Sequence, residues 1–253
     1  MGILVAGRIG KFTNACRVAS PIVALFKKGF RSGILFLYLI LIMTNQGRAQ
    51  GKPNKDKVKQ LWMAAEENNV TTLQKLIKEG VNVEANDAKR RTALMIATHH
   101  QNNEAAKVLI DAGANVNALD DMHDSPFLYA GASGYTKIVS YCLQHGADFT
   151  VFNRYNGTAL IPACERGHVE TVKEILKRKD FPIDHVNRLG WTALLEAIVL
   201  SDGGPAHVQI VQLLVDAGCN VNIADNDGIT PLTHARKKDF TQIVAILKKA
   251  GAK

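Results

Sequence analysis

The residues with the greatest capacity for chemistry are His99, His100, Glu196 and His234. A catalytic site needs a nucleophile, a base and an orienting group converging on one pocket. On a helix, adjacent residues point about 100° apart, so His99 and His100 do not chelate one metal together. Glu196 and His234 fall on first helices one stack position apart, and packed helices lie about 8–10 Å from each other. The expected arrangement is a Glu196–His234 hydrogen bond in which two buried polar groups satisfy one another. An acid–base pair is the competing reading, and a metal-handling or enzymatic domain built on these four residues is the alternative function. The chain has no Gly-rich phosphate loop, no HExxH and no nucleophile elbow. No CxxC or Cys/His ligand spacing occurs either.

These residues sit in a pattern that repeats. Residues Asp225 to Lys253 give its clearest copy: a turn signal at Asp225-Asn226-Asp227-Gly228, then Thr230-Pro231-Leu232 opening a helix. Leu232 and Ala235 share one face of that helix. A second helix follows with Ile243, Val244, Ile246 and Leu247 as its apolar stripe, and Gly251 stops it. Such a unit cannot bury its apolar face alone. Thr92-Ala93-Leu94, Ser125-Pro126-Phe127, Thr158-Ala159-Leu160 and Thr192-Ala193-Leu194 are the same opening element, at intervals of 33, 33, 34 and finally 38 residues. Gly113-Ala114, Gly146-Ala147 and Gly218-Cys219 are matching stops, and Lys179-Asp180 stands in that place in the fourth copy.

A period near 33 with this content resembles the ankyrin-repeat family, over residues 57–253. Asn156 to His168 and Gly190 to Ile198 look like a group of small bacterial ankyrin proteins that contain little beyond the repeats. The resemblance implies an all-α solenoid of about six stacked helix-turn-helix repeats with β-hairpin-like tips. It also implies a monomer with no enzymatic activity, no cofactor, no bound metal, no small-molecule substrate and no nucleic acid partner. Its business is binding another protein through a concave face and hairpin tips. Residues 57–85 form a degenerate first repeat, as an end cap requires. Lys248 occupies an outer position of the last helix and is expected to face solvent.

In the family, contacts come from the tips and the exposed end of the first helix. Carried over by phase, these give Lys89 and Arg91, Met122 and Asp124, Arg154 and Tyr155, Arg188 and Trp191, and Asp227 and Ile229 on the tips. The helix ends give His99 and His100, Ala132 and Ser133, Glu165 and Arg166, Val199 and Leu200, and Lys237 and Lys238. Trp, Tyr and Arg dominate binding hot spots. The expected partner-binding set is therefore Arg154, Tyr155, Arg188, Trp191, Val199 and Leu200, with Lys89, Arg91, Glu165 and Arg166. Trp191 has a second reading, as a side chain packed onto a neighbouring hairpin. Five extra residues near Ser201-Asp202-Gly203-Gly204-Pro205 read either as a tolerated loop insertion or as a rim on the binding surface.

The N-terminal stretch is of another kind. Residues 1–49 hold seven basic residues and no Asp or Glu. Arg8 to Arg31 precede the ten-residue apolar run Ile34 to Met43, and the small residues Gly47 and Ala49 follow it. This matches a secretory signal peptide, with cleavage expected between Ala49 and Gln50. A membrane anchor is the alternative, although ten residues fall short of the about 20 that span a bilayer. Export to the periplasm follows, and residues 50–56 read as a polar linker. The partner would then be an envelope protein or enzyme that is protected or localised; a secreted effector acting on a host protein is the other version. Removing the leader leaves 24 basic against 23 acidic residues, so the sequence pI near 9.3 gives no argument for nucleic acid. Cys142, Cys164 and Cys219 all have packing explanations and read as free thiols.

Overall fold

The structure is a computed structural model that describes residues 55–253; the expected signal peptide, its cleavage point and most of the linker lie outside the described residues. Twelve helices follow in six pairs: α1 (Lys55–Glu66) with α2 (Val70–Lys78), α3 (Ala93–His99) with α4 (Asn103–Asp111), and α5 (Pro126–Ser133) with α6 (Thr136–Gln144). Then come α7 (Leu160–Glu165) with α8 (Val169–Leu176), α9 (Ala193–Val199) with α10 (Pro205–Asp216), and α11 (Pro231–Lys237) with α12 (Thr241–Lys249). The first helix starts at Lys55, so Lys55 and Asp56 belong to the repeat and not to a linker. First helices pack on neighbouring first helices, and second helices on neighbouring second helices. The outcome is the expected solenoid.

The two layers have different packing residues. Leu61, Leu94, Phe127, Leu160, Leu194 and Leu232 recur at one position of the first helices and are all buried. Three residues on, Ala64, Ala97, Ala130, Ala163, Ala197 and Ala235 fill a small-residue slot. A methyl there lets adjacent helix backbones approach closely. In the second helices Leu76, Leu109, Cys142, Ile175, Leu214 and Leu247 form the matching buried row. Cys142 thus serves as a small apolar side chain, and burial pushes its thiol up to about 12. Cys142 and Cys164 are buried, Cys219 is half-buried, and all three are free. Lys248 is exposed.

The helix starts follow from their sequence. Thr92, Ser125, Thr192 and Thr230 are extended, and each side-chain oxygen accepts the N–H three residues on, at 3.2–3.3 Å. The fourth repeat differs because Pro162 has no N–H to donate back to Thr158. In the second, third, fifth and sixth repeats Ile96, Tyr129, Glu196 and His234 make that bond to Thr92, Ser125, Thr192 and Thr230. Helix α7 is accordingly the shortest, at six residues.

Five hairpin tips precede α3, α5, α7, α9 and α11, and one Asx residue builds each. Asp87, Asp120, Asn153, Asn187 and Asp225 each accept two backbone N–H groups with one side-chain oxygen, from the second and fourth residues on. The same residue's N–H bonds the carbonyl four residues on in all five tips. The third residue after the Asx must be left-handed: Arg90, His123 and Asn156 have φ of 58–59°, and Gly190 and Gly228 stand there in the last two tips. Only one residue pair, Asn86 and Thr92, forms a β-bridge, so the tips are hairpin-like turns and not strands among the described residues.

The five extra residues of the fifth repeat divide in two. Helix α10 has 12 residues where α4, α6 and α12 have nine, and the remainder lengthens the α9–α10 turn. That turn is tightly built. Ser201 Oγ donates to the Ile198 carbonyl, and Gly203 N–H and Gly204 N–H donate to Ser201 Oγ and Asp202 Oδ1. A Cβ at Gly203 would run into the Phe240 ring of the next repeat, and its φ is +68°. The insertion therefore seats against the sixth repeat.

Candidate protein-binding face

The tips are tied into a ladder. Asp121 N–H donates to the Lys89 carbonyl at 3.1 Å, and Arg188 N–H to the Tyr155 carbonyl at 2.9 Å. Asn226 Nδ2 donates to the Leu189 carbonyl at 3.2 Å. These bonds join the first tip to the second, the third to the fourth and the fourth to the fifth, and so help fix the spacing of the side chains displayed there.

Arg154, Tyr155 and Arg188 come together as the sequence suggested. The Arg154 guanidinium lies 4.9 Å from the Tyr155 ring centroid and bonds Asp124 Oδ2 at 3.3 Å. Arg188 Nη1 donates to the Arg154 carbonyl at 3.2 Å. Burial pushes the Asp124 carboxyl up despite the nearby Arg154. These arginines are exposed yet held in place, which lowers the side-chain entropy lost on binding.

The register shows a residue that the sequence reading passed over. Counting two residues from each Asx gives Lys89, Met122, Tyr155, Leu189 and Asp227. Met122, Tyr155 and Leu189 are 56%, 50% and 50% exposed. Three consecutive tips thus present a large apolar side chain at one position. The sequence reading paired Arg188 with Trp191 in the fourth tip, although Leu189 matches Tyr155. Keeping one fixed offset from the Asx residue, or from the hydroxyl residue five positions on, would have exposed this.

The remaining expected residues are scattered. Trp191 is half-buried at the base of the fourth tip, and its N–H belongs to the Asn187 turn. Val199 is half-buried and Leu200 is 49% exposed at the end of α9. The insertion does not cover Leu200, since it turns toward Phe240. Arg166 is exposed and donates to the Ala132 carbonyl at 2.7 Å, while the Glu165 carbonyl accepts from the His207 ring at 2.9 Å. Lys89 is exposed on the first tip, and Arg91 is half-buried there, forked onto Asp87 Oδ2 at 2.7 and 2.9 Å. Both stand two tips away from Arg154.

A family profile described as "Ankyrin repeats (3 copies)" matches residues 61–153 and 151–225. The chain belongs to the ankyrin-repeat family. It is 36% identical over 190 residues to the ankyrin repeat protein YahD of Escherichia coli (strain K12), covering 75% of this chain and 94% of that protein. Among solved structures, an ankyrin repeat domain from Acinetobacter baumannii AYE shares 52% identity with a TM-score of 0.74, over 76% of this chain and 98% of that one. The ankyrin repeat protein EF0377 shares 40% identity with a TM-score of 0.73, over 76% and 98%.

Ankyrin geometry corrects one expectation about the polar residues. Glu196 and His234 do not bond each other. Asn187 Nδ2 donates to Glu196 Oε1 at 2.9 Å, and His234 Nε2 lies 2.6 Å from Asp225 Oδ2. Each has turned to the Asx residue of its own tip, nine positions back. The repeat offers this partner locally, so the neighbouring helix is not needed. Burial, and then the Glu165 charge, push the Glu196 carboxyl up to about 7.

The adjacent histidines also part. His99 stacks on Tyr129 with ring centroids 4.1 Å apart, and its Nε2 lies 3.9 Å from Asp120. His100 Nε2 lies 3.6 Å from Glu66, in the preceding repeat. Burial pulls the His99 ring's affinity for a proton down. Among the described residues no group of three His, Cys, Asp or Glu is placed to hold a metal.

Proposed function

We infer that this ankyrin-repeat protein acts by binding another protein, with the second, third and fourth tips as its contact surface. Ankyrin repeats are in general protein-interaction modules, and the finer assignment rests on one observation. Met122, Tyr155 and Leu189 occupy one register on consecutive tips, with Arg154 and Arg188 beside them. Exposed apolar side chains that line up mark a contact surface. Tyr and Arg are the residue types that carry binding energy there. Leu200 extends the surface at the end of α9, while Lys89, Arg91, Glu165 and Arg166 lie toward its margins.

The mechanism is rigid display. Turn, tip ladder and helix layers order the surface before a partner arrives, so little ordering entropy remains to be lost. The basic leader and its apolar run support export, which places the partner among envelope proteins. Protection or localisation of an envelope enzyme fits a rigid, non-catalytic binder. Affinity capture from the native envelope, followed by mass spectrometry, tests this reading. A partner retained by the natural protein and lost with Tyr155→Ala and Leu189→Ser supports it; retention by both overturns the tip assignment.

A further inference from the structure

The apolar row on the tips has a definite length and a definite step. In the register two residues past each Asx, the five tips carry Lys89, Met122, Tyr155, Leu189 and Asp227 in order, all exposed. A cation closes the row at one end and a carboxylate at the other, which leaves three apolar anchors between them. All five tips share the Asx turn with a left-handed third residue, so these side chains leave the stack in the same way. The step follows from how the tips are joined. Arg188 N–H bonds the Tyr155 carbonyl at 2.9 Å, and Leu189 is the next residue. Hydrogen-bonded chains lie about 4.7–4.9 Å apart and consecutive Cα atoms about 3.8 Å, which allows a step of up to about 9 Å between Tyr155 and Leu189. The first helices beneath the tips are packed neighbours, and such helices lie about 8–10 Å apart.

An occupant that engages all three anchors repeats a side chain on one face at about this step. A β-strand brings same-face side chains every 6.6–6.8 Å or so, roughly two-thirds of the step. An α-helix returns to one face about every 5.4 Å, which sets alternate turns over the gaps between tips. A polyproline II segment has three residues per turn and rises about 3.1 Å per residue, so every third side chain recurs at about 9.3 Å. Charge does not choose the occupant, because Asp124 answers Arg154 at 3.3 Å and the two ends of the row carry opposite signs. Hydrogen-bonding capacity does. Arg188 spends Nη1 on the Arg154 carbonyl at 3.2 Å. A guanidinium has five N–H donors and no acceptor, so donors are what both arginines have left to offer. A polyproline II chain makes no internal hydrogen bonds and brings a free carbonyl with every residue, whereas helix carbonyls are used within the helix. Three anchors also fall far short of the roughly 20–30 residues a side in a stable dimer interface, so the row does not fit a second copy.

We propose that the row binds one polyproline II segment of the partner protein, with apolar side chains at every third position seated against Met122, Tyr155 and Leu189 and backbone carbonyls facing Arg154 and Arg188. The proposal rests on the reading of the tips as the contact surface and adds the form and spacing of what they hold.

Two labelled heptapeptides of one composition test it, Leu-Pro-Pro-Leu-Pro-Pro-Leu and Leu-Pro-Leu-Pro-Leu-Pro-Pro. Proline holds both extended, and only the first has the step of the tips. A third probe is an alanine-rich helical peptide with leucine at every seventh position. Each is titrated with the natural protein while fluorescence anisotropy is followed. The first peptide is expected to saturate at about tenfold lower protein concentration than either of the others. Tyr155→Ser and Leu189→Ser are each expected to weaken it by about tenfold, with a thermal melt to show that the variant is folded; if one fails to fold, the other carries the test. Equal binding of the two heptapeptides, tighter binding of the helix, or no saturable binding at all overturns the extended-segment proposal. The tip surface itself is then read separately, by capture of the natural partner. Full retention of the first peptide by both folded variants places it elsewhere and also overturns the proposal. A dimer in sedimentation that Leu189→Ser dissociates would make a second copy the occupant, with the same consequence.

Discussion

Asn187 performs two tasks with one side chain: its Oδ1 accepts the N–H groups of Leu189 and Trp191, and its Nδ2 donates to Glu196 Oε1 at 2.9 Å. The turn that displays Leu189 is thereby joined to a carboxyl only 4% exposed. Three of the other four tips use Asp at this position, and an Asp facing Glu196 would place two carboxyl groups in contact. The last tip solves the same problem with opposite chemistry, His234 against Asp225.

This arrangement makes stability depend on pH. Glu196 has its carboxyl raised to about 7 from an ordinary value of 4.5. Between these values the folded protein holds more protons than the unfolded chain. Stability from this group is therefore full below pH 4.5, falls as pH rises, and levels off above 7. The total is up to roughly 3 kcal/mol, since one unit of pKa is about 1.4 kcal/mol. Glu196→Gln keeps an acceptor for Asn187 and removes the titration. Urea unfolding at pH 5 and pH 8 is expected to show a smaller difference for the variant than for the natural protein. Equal differences would contradict the assignment.

The left-handed position of the tips gives an independent test. His123 has φ of 59°, a conformation that costs an ordinary residue about 1–2 kcal/mol, of which glycine returns part through its greater unfolded-state freedom. His123→Gly is expected to stabilise by roughly 0.5–1 kcal/mol, and Asn156→Gly by less, because Asn tolerates this region. A thermal melt in which His123→Gly lowers Tm would show that the His123 side chain contributes more than its strain costs.

Position along the stack decides the cost of core changes. Leu109→Ala, fully buried between neighbours on both sides, is expected to cost roughly 2–5 kcal/mol. Lys248→Leu, exposed at the last helix, is expected to leave the melt unchanged within about 0.5 kcal/mol. Unfolding by Lys248→Leu would mean that further structure packs beyond α12.

The lengthened fifth repeat keeps its hold on the fourth. His207 Nε2 bonds the Glu165 carbonyl at 2.9 Å, and Asn102 Nδ2 bonds the Ala65 and Glu66 carbonyls at 2.9 and 2.7 Å in the equivalent place. Each closes the open end of the preceding first helix. His207→Ala is expected to cost about 1 kcal/mol, the usual worth of one such bond. A measured cost near zero would leave the insertion without this structural role.

The fold was legible because it is periodic. Hydroxyl caps, small-residue slots and glycine stops are local signals, and five copies reinforced each other. Side-chain pairing was less legible. Glu196 and His234 drew attention as neighbours in the stack, yet each found a nearer partner within its own repeat. Leu189 was missed because the tips were counted by residue appeal rather than by register, and Arg188 and Trp191 looked more like binding residues. Trp191 itself proved half-buried, which neither the binding nor the packing reading had specified.

The central claim is that the apolar row on the tips binds a partner. The most direct measurement is the affinity of a captured partner for the natural chain and for Tyr155→Ala, with a thermal melt of each. The account predicts a loss of binding of about 2 kcal/mol or more, the hot-spot scale, with Tm nearly unchanged because Tyr155 is 50% exposed. Unchanged affinity in a folded variant would contradict it.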